Sequence, residues 1–155
     1  MQEHIQNELA SFIANCDWEK IAPHFKEDAA YRVLDWVGCA VAGEHYPQVE
    51  IAQKYFIENG DQGNSTVIGH QIKCSPRTAA FLNGIAGHVC ELDDGHRTAI
   101  GHPGSIAVPT ALALGEHLNA SGADVLKAVI LGYEVFSRLG RTVNPSHYRT
   151  WHTTG

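Results

Sequence analysis

Between Asn83 and Pro109 the chain reads NGIAGHVCELDDGHRTAIGHPGSIAVP, which brings Glu91, Asp93, Asp94, His96, Arg97, Thr98 and His102 into one short segment. Clustered carboxylates beside imidazoles can bind a metal, carry out acid–base chemistry, or merely solvate a loop. Metal-ligand types abound, with His88 and Glu91 three apart before the acidic pair. Yet there is no HExxH pattern and no His-Asp dipeptide of the kind all-helical metallohydrolases use, so no metal is expected. Acid–base chemistry asks for less. Removing a proton from carbon beside a carboxylate needs a base poised near neutral pH, and histidine suits that task. His102 is the sharper candidate, because Pro103 and Gly104 fix the backbone around it. Arg97, Thr98 and the backbone N–H groups of Gly101 and Gly104 are candidate donors to an anionic substrate. The bland alternative for His102 is a hydrogen-bonded loop histidine.

The remaining histidines read more plainly. His88, on an apolar helix, is expected to be a satisfied core residue. His4, His24, His45 and His117 are expected at the surface, and His70 shows no role. His147 and His152 stay open, because they lie in an aperiodic aromatic tail.

Two apolar segments must hold this loop. Ala79, Ala80, Gly84, Ala86 and Gly87 predict a buried helix with closely approaching neighbours, started by the capping pair Ser75-Pro76. A second helix is predicted from Val108 to about His117. Upstream, Ile5, Leu9, Phe12 and Ile13 mark an amphipathic helix over 3–14. Pro23 reads as an interruption, Asp28 as the cap of a helix over 29–42 that is apolar almost all round, and Gly43 as its stop. A third helix follows Pro47 and ends near Asn59-Gly60. Residues 65–69 read as one short extended segment, too little for a sheet. Ser121 and Asp124 resemble a capping box that opens a mostly apolar helix over 122–139. After it, Gly140 to Gly155 shows no helical period, and Thr153-Thr154-Gly155 looks like the lead-in to a further helix. The fold class is therefore all-α, a multi-helix bundle. Two helices this apolar need more partners than 155 residues comfortably provide, so the sequence behaves like the first part of something longer.

The whole chain narrows the function. A composition of 44% hydrophobic and 18% charged residues is that of a globular protein. A formal charge of -6, with 11 Lys and Arg forming no stripe, argues against nucleic acid. No stretch has the length of a membrane span and no signal peptide is evident, so no membrane partner is expected. Cys16, Cys39, Cys74 and Cys90 are far apart with no CxxC pair, which suits reduced thiols and a cytoplasmic setting.

The order of five blocks, LDWVGCAVAG, NGIAGHVCELDDGHR, HPG, SGADVLKAVILGYEV and WHTTG, resembles the MmgE/PrpD family from about Ala29 to Gly155. That family includes 2-methylcitrate dehydratase, cis-aconitate decarboxylase and iminodisuccinate epimerase. The resemblance implies the N-terminal portion of a much longer two-domain protein, with a large helical domain and a smaller α+β lid. It also implies homodimers or higher homo-oligomers, and action on small di- or tricarboxylates without metal or organic cofactor. The acidic loop, the HPG histidine and the histidine of an FHPTG-like block line the family's site. They fall here on Glu91, Asp93 and Asp94, on His102, and on His152. The family's later lysines and lid have no counterpart in these residues. Where the family often has DFDDT, this chain has Glu91-Leu92-Asp93-Asp94-Gly95, with Thr98 as a substitute hydroxyl, and WHTTG stands for FHPTG.

The expectation is a cofactor-independent lyase or isomerase for small polycarboxylates that starts by removing a proton next to a carboxylate. His102, Asp93 and His152 are the candidate catalytic residues. Asp94, Glu91, His96, Arg97 and Thr98 are candidates for substrate binding. A metal-dependent hydrolase and a non-catalytic helical binding or assembly module are the alternatives. The 155 residues alone are expected to be inactive.

Overall fold

The computed structural model describes residues 2–152. Helix α1 (Gln2–Ala14) and a 3₁₀ turn at Trp18–Lys20 lead into α2 (Pro23–Gly43) and α3 (Pro47–Glu58). Two short strands follow, β1 (Ser65–Thr66) and β2 (Lys73–Cys74). Helices α4 (Pro76–His88), α5 (Gly104–Leu118) and α6 (Gly122–Val143) complete the bundle, and a 3₁₀ turn at His147–Arg149 follows α6. The architecture is the all-α bundle that the apolar periodicity predicts. Among the described residues no helix is long and apolar enough to cross a membrane.

Two starts follow the capping chemistry. Ser75 Oγ accepts from Thr78 N ahead of Pro76, and Asp61 braces that cap by accepting from Ser75 N at 2.9 Å and from Ser75 and Thr78 hydroxyls. Ser121 Oγ accepts from Asp124 N at 3.2 Å and opens α6. Other boundaries differ from expectation. Helix α2 begins at Pro23, so the proline opens the helix rather than interrupting it; its missing N–H is no loss where helical N–H groups lack acceptors anyway. Asp28 is thus not a cap, and its carboxylate takes Arg32 Nε one turn later at 2.6 Å. Helix α5 starts at Gly104 rather than Val108 and carries Pro109 inside it, where burial on both sides outweighs one lost backbone bond. Helix α6 continues to Val143, beyond the expected end at Leu139, so the aperiodic tail is shorter than its sequence suggests. The extended segment at Ser65 does find a partner, with Ser65 opposite Cys74 and Thr66 opposite Lys73 in a minimal antiparallel sheet. The expected lead-in at 153–155 lies outside the described residues.

Helix α4 is the hub. It packs most extensively on α5 and α2, while α6 covers α5 and α2. One core cluster joins Trp36, Ala40, Val49, Ala86, Val108 and Val129; another joins Val67, Cys74, Ala79, Leu82 and Ala113. Gly87 makes the α2–α4 crossing possible, since a Cβ there would lie 2.5 Å from the Trp36 indole nitrogen. Trp36 is 2% exposed, and its indole N–H has no hydrogen-bond partner among the described residues. Burial of α2 is one-sided rather than all round. Trp36, Cys39 and Ala40 face the core, whereas Tyr31, Leu34 and Val41 remain exposed, as do Ile5, Phe12 and Ile13 of α1.

Candidate active site

The segment between α4 and α5 is a constrained loop. Glu91 and Ile100 adopt positive φ angles of 49° and 52°, which turn the chain sharply at its two ends. Between them His96 folds the loop on itself. Its N–H donates to Gly101 O at 2.8 Å, its carbonyl accepts from Ile100 N at 2.8 Å, and its Nδ1 accepts from Ala99 N at 3.0 Å. Asn144, just past α6, donates to Ala99 O and ties the loop to the bundle.

The two adjacent carboxylates of this loop serve different neighbourhoods. The Asp93 side chain has no solvent exposure. His88 Nδ1 lies 3.0 and 3.1 Å from its two oxygens, and His102 Nδ1 lies 3.4 Å from Oδ2. Ser105 Oγ, buried in the first turn of α5, donates to the same Oδ2. The His88 and His102 rings are 4.6 Å apart, and both keep part of their surface open, 30% and 24%. The His152 ring stacks 6.0 Å from His102 at 24°, with Tyr148 5.5 Å beyond it. A buried carboxylate under partly open imidazoles is suited to holding and passing protons.

Asp94 turns to the frame. Its Oδ2 accepts from Arg32 Nη1 at 3.1 Å and its Oδ1 from Gly104 N at 3.0 Å, so it places negative charge at the start of α5. Glycine gives Asp94 room there, because a Cβ on Gly104 would lie 2.6 Å from Asp94 Oδ1 and 2.9 Å from the Tyr133 hydroxyl, and one or both would have to shift. Burial first, and then the Asp94 charge, push the Tyr133 phenol far above its ordinary range, so it stays protonated. Arg32 stacks over the Tyr133 ring at 5.0 Å, and its hydrogen bond to Asp28 raises its pKa still further.

The sequence candidates divide between these neighbourhoods. His102, Asp93 and His152 come together. Asp94, His96, Arg97 and Thr98 instead line a cleft of about 460 Å³ with Arg32 and Tyr133, and none of the clustered imidazoles lines it. Glu91 is exposed. The Gly104 N–H, expected as an anion donor, is occupied by Asp94. His88, expected to be a core residue, belongs to the imidazole cluster; the sign available was its place at the last turn of a helix, five residues before Asp93. Ser105, directly after HPG, went unnoticed, because the helix that carries it was expected to start only at Val108. Arg32, 62 residues from Asp94, carried no signal.

His88, Asp93 and His102 each present a ligand-type atom, all within 4.8 Å of one another. A small divalent cation there would need both Nδ1 atoms as lone-pair donors, with the ring protons on Nε2. Burial pushes the nearby Cys39 thiol up, as do Asp35 and Asp93, so it stays protonated.

A family model described as the MmgE/PrpD N-terminal domain matches residues 7–155. The chain is 30% identical to the cis-aconitate decarboxylase-like protein oryM of Aspergillus oryzae, over 97% of this chain and 33% of that protein. It is 31% identical to a cis-aconitate decarboxylase of Aspergillus terreus, over 96% of this chain and 32% of that protein. Identity to the human cis-aconitate decarboxylase is 36%, over 69% of this chain and 23% of that protein. The chain therefore spans about a third of the length of the first two curated relatives. With motifs, fold and these matches in agreement, the chain belongs to the MmgE/PrpD family.

Proposed function

We propose that this chain carries the helical part of an acid–base site in a cofactor-independent lyase or isomerase acting on small di- or tricarboxylates. The observation that carries this reading is the fully buried Asp93 carboxylate beneath His88 and His102, with His152 stacked beside them. His102 exchanges the proton with substrate carbon, Asp93 orients it, and His152 is a second imidazole for proton transfer or for an anionic group. Decarboxylation is the reaction to test first, because the relatives are named for it. In that reaction the electron pair of the breaking C–CO₂ bond moves into the adjoining unsaturated carboxylate system. A general acid then delivers the proton that completes the product.

The same reading makes these residues the N-terminal part of a longer helical domain, since the relatives are about three times as long. The chain alone is then silent in catalysis. It self-associates, a reading supported by the exposed Phe12, Ile106, Leu114, Leu118 and Leu139. The test is CO₂ release from cis-aconitate by the 155-residue chain and by the chain extended with the sequence encoded after codon 155. Activity only in the extended form supports the reading. Its absence there, across cis-aconitate, 2-methylcitrate and an iminodicarboxylate, overturns it. Light scattering across a dilution series tests self-association, and a monomer at every concentration refutes it.

A second reading rests on the ligand-type atoms of His88, Asp93 and His102. A metal-dependent enzyme would show one tightly held transition metal per chain on elemental analysis and lose activity on chelation.

A further inference from the structure

Asp93 has more partners than one acid–base histidine requires. Ser105 Oγ donates to Oδ2, His88 Nδ1 lies within hydrogen-bond distance of both oxygens, and the buried His102 Nδ1 stands 3.4 Å from Oδ2 without a formed hydrogen bond to it. An ionised carboxylate accepts only and repels a ring lone pair aimed at it, so a ring nitrogen this close presents a hydrogen. For a neutral imidazole that means the ring proton sits on Nδ1 and Nε2 keeps the lone pair. In water a histidine side chain prefers the opposite arrangement, with the proton on Nε2. The geometry around Asp93 thus selects the less common tautomer at His102.

Two residues hold Asp93 in the orientation that does this. Ser105 stands in the first turn of α5 and His88 in the last turn of α4, so the carboxylate is fixed from both rigid ends of the loop rather than by the loop itself. We propose that His88 and Ser105 are positioning residues that lock Asp93, so that His102 is held as its Nδ1–H tautomer with Nε2 as the basic nitrogen. This deepens the acid–base reading above and rests on it for its functional meaning. The structural claim stands on contacts alone, and it is incompatible with a metal bound at the two Nδ1 atoms.

Ring-¹⁵N NMR tests it on the chain as it exists, without a turnover assay. At about pH 8.5, two units above the ordinary imidazole pKa, ring shifts report which nitrogen carries the proton. His102 in the parent is expected to be almost wholly Nδ1–H. His88→Leu and Ser105→Ala should each lower that population below about half. His88→Asn should preserve it, since its carboxamide N–H₂ can take the place of Nδ1–H. An Nε2–H tautomer at His102 in the parent overturns the proposal, and this reading needs no variant to fold. So do unchanged populations in His88→Leu and Ser105→Ala, or equal losses in His88→Leu and His88→Asn. An Nδ1–H parent in an extended protein that proves inactive would sink the proposed function and leave the positioning claim standing.

Discussion

Asp93 and Asp94 are neighbours in sequence, share a loop, and do opposite work. Asp93 is sealed from solvent and surrounded by imidazoles: His88 and His102, with His152 beyond. Asp94 is held by Arg32 and the Gly104 N–H, with the Tyr133 phenol close by, groups that keep their hydrogens across the working pH range. One carboxylate can therefore respond to chemistry, and the other holds the loop to α2 and α5. The two side chains leave the loop toward different neighbours, so one dipeptide serves both purposes.

The largest effect should come on the Asp93 side. In the extended, active protein, His102→Asn should reduce turnover about 10²-fold or more, the usual scale for a placed acid or base, while barely moving the thermal midpoint. Activity within a few-fold of the parent would remove His102 from the acid–base machinery. On the Asp94 side the balance should reverse. Asp94→Ala leaves the first turn of α5 without its acceptor and Arg32 with Asp28 alone, at a cost of about 1–2 kcal/mol in denaturant unfolding. An unchanged unfolding midpoint with a raised KM would move Asp94 from the frame to the substrate.

Alkali should sharpen the contrast further. Tyr133 keeps its proton in the folded protein after the unfolded chain has begun to lose its own. A group whose folded pKa is raised lends stability that is intact below the unfolded value, about 10, and lost as the pH climbs above it. Parent stability should fall by about 1 kcal/mol in the first unit above pH 10, and Tyr133→Phe should remove that part of the slope. Equal slopes in the two proteins would show that Tyr133 is not held protonated. The smallest effect belongs to Glu91. It is exposed and outside both neighbourhoods, so Glu91→Gln should change stability by less than about 0.5 kcal/mol and turnover by no more than a few-fold. A loss approaching that of His102→Asn would bring it back to the substrate.

Much of the frame was legible in the sequence because its signals are local. Ser75-Pro76 and Ser121 with Asp124 mark helix starts through hydrogen bonds spanning three residues, and apolar spacing marks the faces between. The start of α2 misled because Pro23 and Asp28 are both good openers, and only the Asp28–Arg32 pair decides against the later one. The second strand is two residues long, below any period a sequence can display. At the site, residue type and the HPG block singled out Asp93 and His102, and family resemblance added His152. The partition of Asp93 from Asp94 was not legible. It depends on Arg32, Tyr133 and Ser105, brought in from three different helices by packing that leaves no periodic trace.

The Trp36 indole lies across Gly87, next in the chain to His88. That placement provides an optical gauge of the joint between core and site. Trp36 is sealed from water, while Trp151 is 63% exposed and Trp18 half-buried, so a polar quencher should separate the emission of the three into a protected and an accessible part. Any event that loosens α2 from α4 will redden the protected part first. Light emitted from the core then reports on the imidazoles without a label being placed near them.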